Sequence, residues 1–156
     1  MHDGPISSTI HFITLERQIR RTEVEVMIDY TKETKLNVKS AVDKLTEDLK
    51  TNKWGVLSVI DVKKILAEKL KVESDDYIIL DVCSPALAHQ GLSINKQVGL
   101  ILPCKIIVYT DKGKTKISLY KPTIALSTAS SLSGYDKLSK LAIEAEEGLK
   151  KVIDLQ

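Results

Sequence analysis

The sequence predicts an α+β fold in which helices cover one face of an antiparallel or mixed β-sheet. The predicted strands follow one another with only small helices between them, and a long amphipathic helix closes the chain. A hairpin turn at residues 111–114 interrupts the alternation of strand and helix that a parallel sheet requires. A doubly wound parallel sheet is therefore the weaker alternative.

Residues 1–22 have no clear pattern, and we expect them to form an N-terminal extension to a single domain over residues 23–156. A chain of 156 residues can bury a core of its own without cross-links. The domain begins at residues 23–30, where polar and apolar side chains alternate as they do in a half-buried strand.

Two amphipathic helices come next, and each begins with a side chain suited to capping. We expect Asn37 to cap a helix that ends near Asn52. After a short strand at residues 56–60, Asp61 is expected to cap a second helix. Apolar residues at helical spacing mark one face of each helix: Val38, Val42, Leu45 and Leu49 in the first, and Val62, Ile65, Leu66 and Leu70 in the second.

The centre of the sequence joins an apolar strand, residues 77–83, directly to a helix start. Ser84 suits the N-cap, and Pro85 suits the first helical position because no N–H is needed there. We expect this helix to be short and to stop at Gly91, since glycine favours the conformation that ends a helix.

The second half holds the longest apolar run, residues 98–109, with Pro103 in its middle. Because proline cannot donate to a strand ladder, we expect a bulge, an edge position or a break there. A strand at residues 116–120 follows the hairpin turn, and residues 122–134 are expected to be a connector. The apolar face of the last helix comprises Leu138, Leu141, Ala142, Ala145, Leu149, Val152 and Ile153.

Composition excludes several classes of partner. The 23 basic and 21 acidic residues give a net charge of +2, whereas a nucleic-acid-binding protein needs clustered basic charge. No apolar run approaches the roughly 20 residues needed to cross a bilayer, and the N-terminus lacks the features of a signal peptide. We therefore expect a cytoplasmic protein with no nucleic-acid or membrane partner. The many Ile, Lys and Glu residues favour a thermophilic source.

Three segments carry a resemblance to a known family. They are residues 79–88 (ILDVCSPALA), residues 98–109 (VGLILPCKIIVY) and residues 54–62 (WGVLSVIDV). Together they resemble the uncharacterised domain-of-unknown-function family numbered 302, in an archaeal or thermophile-like form, and the resemblance covers roughly residues 24–154. It implies a fold similar to the TATA-binding-protein-like class, strand–helix–four strands–helix, usually as a homodimer, and it implies no established reaction.

The family resemblance also bears on two of the side chains in these segments. Many relatives have Asn at the position of Ser84, so a role for a side-chain amide is not carried over to this chain. Other members lack one or both cysteines, which implies that any thiol chemistry belongs to a subgroup.

Cys83 is the strongest chemical candidate. It lies immediately before a predicted helix, where unpaired N–H groups and the helix dipole favour an anion, so we expect its thiol pKa to be lowered. The alternative is an inert buried cysteine that acts as a small hydrophobic residue.

Cys104 adds to this site only if it reaches Cys83. Adjacent strands lie about 4.8 Å apart, so facing positions permit a disulfide or a soft-metal site with two thiolate ligands. Taken alone, Cys104 in an apolar strand is better interpreted as a core residue. His89, a base or third-ligand candidate, is grouped by its helical position with Pro85, so we favour solvent exposure for it.

Two hypotheses for function follow, and the sequence leaves open whether the protein is an enzyme. The first is a homodimeric module that binds a small ligand or a partner, in an apolar cavity of about 300 Å³ or more against the last helix. The second is a thiol-based protein with a redox, sulfur-carrier or soft-metal-binding role. The candidate site residues are Cys83, Cys104, Ser84, Pro103 and His89, with Cys83 and Cys104 as the metal ligands if a metal is bound.

Overall fold

The computed structural model describes residues 27–156 of the chain. Its strands are β1 (Asp29–Thr34), β2 (Gly55–Asp61), β3 (Tyr77–Cys83), β4 (Cys104–Asp111) and β5 (Lys114–Tyr120). They form one five-stranded sheet in the order β1-β5-β4-β3-β2, and every neighbouring pair is antiparallel. The predicted extension over residues 1–22 lies outside the described residues.

The helices occupy the positions expected of an α+β fold. They are α1 (Val38–Thr51), α2 (Val62–Leu70), α3 (Pro85–Ile94), α4 (Pro122–Ser127) and α5 (Tyr135–Ile153), with a 3₁₀ helix at Lys96–Leu100. The long helices α1 and α5 pack on one face of the sheet, where they bury the main core. The predicted fold class is confirmed.

Side chains along each strand alternate between the two faces of the sheet, and helices α1 and α5 cover one of these faces. Inward-facing residues of β3, β4 and β5 have no exposed area, and they contact α1 and α5. The sheet contributes Leu80, Val82, Ile106, Val108, Ile117 and Leu119 to this core, and the two helices contribute Val38, Ala41, Leu45, Leu49, Ala145, Leu149, Val152 and Ile153.

The two predicted helix caps are confirmed, but the two helices differ in burial. The Asn37 side chain accepts a hydrogen bond from the Ser40 N–H at 2.9 Å, and Asp61 accepts one from the Lys64 N–H at 2.8 Å. In α2, however, Ile65 is 45% exposed and Leu70 is 64% exposed, and no residue is buried. The apolar face of α2 is therefore largely open to solvent among the described residues.

The first strand differs from the prediction, which placed it over residues 23–30. The strand runs over Asp29–Thr34, while residues 23–26 lie outside the described part of the chain. Its bounds follow from its partner, because pairing with β5 extends from Asp29 opposite Tyr120 to Thr34 opposite Thr115. The polar composition of this edge strand (DYTKET) hid it from a hydrophobic pattern.

The helix predicted to stop at Gly91 instead continues to Ile94. Gly91 is buried, and a Cβ atom at this position would lie 3.5 Å from Val98 and 4.0 Å from Leu138. The glycine therefore allows two neighbouring elements to approach α3 closely, and it does not end the helix.

The long apolar run breaks at Pro103, which was one of the three expected outcomes. The 3₁₀ helix occupies Lys96–Leu100, the Leu102–Pro103 peptide bond is cis, and β4 begins at Cys104. The hairpin turn is also confirmed, with positive φ angles of 49° at Lys112 and 77° at Gly113. The predicted connector at residues 122–134 is wrong in part, since Pro122 starts helix α4.

Candidate functional site

The candidate site is an apolar cavity of about 90 Å³ at the end of the sheet, below α3, α4 and α5. It lies where two hydrophobic clusters meet: the main core, and a smaller cluster built on Val98, Leu126 and Leu138. The walls comprise Trp54, Val82, Cys83, Ser84, Leu87, Ala88, Gly91, Val98, Ile101, Leu102, Pro103, Cys104, Tyr120, Pro122, Ala125, Leu126, Leu138, Leu141, Ala142 and Ala145.

Small side chains explain why space remains between these clusters. Ala88 and Gly91 line the cavity from α3, Ala125 from α4, and Ala142 and Ala145 from α5. Larger residues at these positions would fill the junction, as they do in the close-packed core beside it. The cavity is smaller than the 300 Å³ expected from the sequence.

The strand register brings the two cysteines to this cavity. In the β3–β4 pair, Cys104 lies opposite Val82, so Cys83 is offset from it by one residue. Cys83 ends β3 and Cys104 begins β4, immediately after the break at Pro103. Both are half-buried free cysteines.

The electrostatics of the thiols are the reverse of the sequence expectation. Burial raises the pKa of the Cys83 thiol, although the N-terminus of α3 follows it directly. Burial, and to a lesser degree the charge of Cys83, raises the pKa of Cys104 to about 11. Desolvation is the largest cause of both shifts, so both thiols are neutral at pH 7.

The five predicted site residues divide into two groups. Cys83, Cys104, Ser84 and Pro103 all line the cavity, whereas His89 is an exposed residue of α3 outside its walls. Ser84 is the N-cap residue of α3, but its side chain makes no capping hydrogen bond. Its hydroxyl is therefore one of the few polar groups on a mostly apolar wall.

The residues that close the cavity from the far side were not predicted from the sequence. Trp54, Tyr120 and the α4 residues Pro122, Ala125 and Leu126 come from segments interpreted as turn, strand and connector. A usable signal was the recurrence of alanine on the apolar faces of the late helices, because small residues permit close packing or leave space.

The polar groups of the described chain do not assemble a metal centre with three ligands. No set of three or more His, Cys, Asp or Glu side chains within residues 27–156 is placed to hold a metal ion. His89 therefore belongs to no such set of three in the described chain.

Two acidic residues of the sheet, Asp81 within β3 and Asp61 at the end of β2, have structural partners. The Asp81 carboxylate accepts hydrogen bonds from Lys105 and Ser58, both at 2.6 Å, and these contacts lower the pKa of Asp81. Asp61 caps α2. Neither carboxylate lines the cavity, and none of the cavity-lining residues in the described part of the chain is acidic.

Two larger depressions, of about 730 and 330 Å³, lie toward the hairpin end of the sheet. They are more open to solvent than the cavity at the thiols, and charged residues contribute to their walls. Asp76 and Val38 border both of them. The less open, apolar cavity with a few polar groups is the better candidate for a ligand site.

Comparison with known proteins identifies the family. The sequence profile described as "Domain of unknown function DUF302" matches residues 30–155. The chain belongs to this family. It is similar to the solved structure titled "Crystal structure of uncharacterized conserved protein DUF302 from Bacillus stearothermophilus", with 33% sequence identity and a TM-score of 0.77. The match covers 83% of this chain and 98% of that chain.

No curated protein matches the chain significantly, so a comparison with curated proteins assigns no function to this DUF302 member. A membrane-spanning role finds no support in the described residues either. Over residues 27–156, every helix is too short or too polar to cross a bilayer.

Proposed function

We propose that this DUF302 protein is a non-catalytic module that binds a small, mostly apolar molecule in the cavity between the sheet and helices α3, α4 and α5. The observation that carries the proposal is a partly enclosed space of about 90 Å³ whose walls are mostly apolar. Apolar pockets with a few polar groups are the usual form of small-molecule sites.

The size of the cavity limits the ligand. A space of about 90 Å³ holds roughly three water-sized groups of about 30 Å³ each. A ligand of about three heavy atoms has a binding free energy of at most about −4.5 kcal/mol, which corresponds to a Kd of roughly 0.5 mM at best. The module therefore suits a metabolite or gas that is abundant, or a short apolar group carried by a larger molecule.

The polar groups on the wall define the ligand further. The Ser84 hydroxyl has no capping role, and the neutral thiols of Cys83 and Cys104 are weak donors. Among residues 27–156, no charged side chain lines the cavity. These groups favour an uncharged ligand with one hydrogen-bond acceptor.

Xenon binding, followed by chemical-shift changes of methyl groups, tests this proposal because xenon enters dry apolar cavities. We expect shifts at Leu87, Val98 and Leu138 that saturate with xenon pressure. Replacing Ala142 with Leu should abolish them by filling the space, whereas Ala67→Leu on the exposed face of α2 should not. Leu126→Ala enlarges the cavity and should strengthen binding. Unchanged spectra in the wild type and in Leu126→Ala would overturn the proposal.

A homodimer is the second part of the proposal, and exposed apolar residues support it. Leu57 and Val59 on β2 are 65% and 55% exposed, and Ile65, Leu70 and Val72 follow in and after α2. Within the described chain, β2 lies at the edge of the sheet, where backbone groups are open to a second strand. Two copies related by a two-fold axis would cover the same surface on each other.

Sedimentation at micromolar concentration tests the dimer. We expect a dimer for the wild type and a monomer for Leu57→Lys, because the charge would be placed inside the contact. Ile143→Lys is the matched control, since Ile143 is 50% exposed on α5. A monomeric wild type, or equal effects of the two variants, would contradict this interface.

Thiol chemistry is a second candidate function because both cysteines line the same cavity. Redox exchange and sulfur transfer begin with attack by a thiolate. Since burial raises the pKa of both thiols, these reactions are disfavoured at neutral pH. Alkylation rates measured against pH should rise with midpoints above 9 at both cysteines, and a midpoint below 8.5 would restore the nucleophile hypothesis.

A further inference from the structure

We infer that Cys83 and Cys104 form a two-coordinate site for one Cu(I) ion at the edge of the apolar cavity. The inference rests on the thiol-based function proposed above and commits it to one ligand. Soft thiolates select Cu(I) over harder divalent ions. Two sulfur ligands alone can complete the coordination of a closed-shell monovalent ion, whereas structural Zn(II) requires four ligands.

The position of the two residues in the sheet supports a shared ion. Strand spacing of about 4.8 Å and an offset of one residue place the two Cα atoms about 6 Å apart. This separation is within the range from which two cysteine side chains can meet. Strict alternation would direct Cys83 to the opposite face from Cys104, but β3 ends at Cys83, and both residues contact the same cavity.

The surroundings select against ions that need more ligands. Within residues 27–156, no third His, Cys, Asp or Glu joins the pair, and the nearby walls are Leu87, Leu102 and Pro103. Apolar walls offer no further side-chain ligand with which Zn(II) could complete four-coordination.

The charge of the complex has one local source of stabilisation. Two thiolates and Cu(I) carry one net negative charge. Helix α3 begins with Pro85 directly after Cys83 and Ser84, and the Ser84 side chain leaves the first-turn N–H groups uncapped. These groups and the helix dipole favour a negative charge at this position.

Proton release gives the site a characteristic pH dependence. Two S–H bonds break and two Cu–S bonds form, two protons pass to solvent, and copper remains monovalent. Both thiols are protonated below pH 8, so the Kd should fall about 100-fold per pH unit between pH 6 and 8. The other titratable group on the cavity wall is Tyr120; nearby Lys105 and Asp81 pair with each other at 2.6 Å, and the wall residues of α3, α4 and α5 carry no titratable side chain.

The test is an anaerobic titration of the full chain with Cu(I), supplied as its acetonitrile complex in competition with a chromophoric Cu(I) chelator. His2, His11 and His89 are replaced with Ala in the parent protein so that imidazoles contribute no ligand. We expect one Cu(I) per chain, a loss of affinity of at least 100-fold in either Cys83→Ser or Cys104→Ser, and no change in Ser84→Ala. Zn(II) should bind at least 1000-fold more weakly.

Each outcome has a defined meaning. No copper uptake, retention of affinity in either single cysteine variant, or a pH slope near zero would overturn the Cu(I) site. If Cys104→Ser fails to fold, Cys104→Ala provides the same test. Cysteine alkylation and xenon binding are measured on the same preparation. Thiol reactivity without copper binding refutes this inference alone, and loss of the xenon response refutes the ligand cavity alone.

Discussion

Buried ionisable side chains at two neighbouring places along α5 have pKa values that shift in opposite directions. At Ala142 and Ala145 the helix borders the cavity, and the thiols there have raised pKa values because burial removes water and no donor replaces it. One residue further along the helix, Glu146 is 8% exposed. Burial alone would raise its pKa, but hydrogen bonds from Lys150 and Thr123 lower it below the ordinary value.

The difference lies in the donors supplied by neighbouring elements. Lys150 Nζ lies 2.6 Å from Glu146, and Thr123 donates both its hydroxyl and its backbone N–H, the latter at 3.2 Å. Thr123 belongs to the first turn of α4, so Glu146 acts as a cap supplied by another helix. The buried charge of Glu146 is thus stabilised by donors on α4 and α5, and it links these two helices. The thiols that line the neighbouring cavity stay neutral.

The largest expected effect comes from removing the Glu146 carboxylate. Glu146→Ala should lower the free energy of unfolding by about 2 to 4 kcal/mol, because it leaves the α4 N-terminus uncapped and Lys150 without its partner. Urea unfolding measures the change. The exposed neighbour Glu147→Ala should stay within about 0.5 kcal/mol of the wild type. Equal effects would show that the cap is not a source of stability.

The two places should also lose stability at opposite ends of the pH range. Because the folded pKa of Glu146 is lowered, its contribution is present above the unfolded value of 4.5 and disappears as pH falls through the folded pKa. Cys104 has a raised folded pKa of about 11, so its contribution is complete below the unfolded value of 9.0 and disappears as pH rises toward 11.

The alkaline loss at Cys104 should amount to about 2 to 3 kcal/mol, since two pKa units correspond to about 2.7 kcal/mol. Stability curves of the wild type and Cys104→Ala, recorded from pH 8 to 11, isolate this contribution because Lys and Tyr titrate in both proteins. The wild-type curve should fall more steeply above pH 9. Parallel curves would indicate that the Cys104 thiol is not desolvated in the folded protein.

A smaller effect is expected from filling part of the cavity wall. Gly91→Ala should stabilise the protein by about 0.5 to 1 kcal/mol, because alanine favours the helix and the new methyl group would meet Val98 at an ordinary contact distance of 3.5 Å. It should also weaken xenon binding. Thermal unfolding measures the first effect, and a lower melting temperature would contradict it.

Gly113→Ala should change stability in the opposite direction from Gly91→Ala. A methyl group added at Gly113 would have no neighbour within 4 Å, yet the φ of +77° at this residue is unfavourable for alanine. We expect a loss of about 1 kcal/mol there, so the sign of a glycine replacement separates space from backbone conformation.

Local chemistry in the sequence was enough to predict several elements. Asn37 and Asp61 are caps because an oxygen at the N-cap satisfies nearby N–H groups regardless of the rest of the fold. Residues 111–114 can be predicted as a hairpin turn because such a turn needs two successive positive φ angles, which few pairs of residues accept. Pro103 interrupts its apolar run because it lacks an N–H. The α+β class followed from the order of these elements.

Long-range packing accounts for the rest. Gly91 looks like a helix terminator until Val98 and Leu138 are placed against it, and Glu146 looks like a solvated charge until Thr123 is brought to it. The bounds of β1 depend on its partner β5.

The two cysteines show the same division. The position of Cys83 at the end of a strand can be predicted from the sequence. That Cys104 begins the neighbouring strand is visible only in the fold, and the small cavity that both residues line forms only when helices α3, α4 and α5 pack over the end of the sheet. Desolvation depends on every surrounding side chain, and for that reason it reversed the expected direction of the Cys83 pKa.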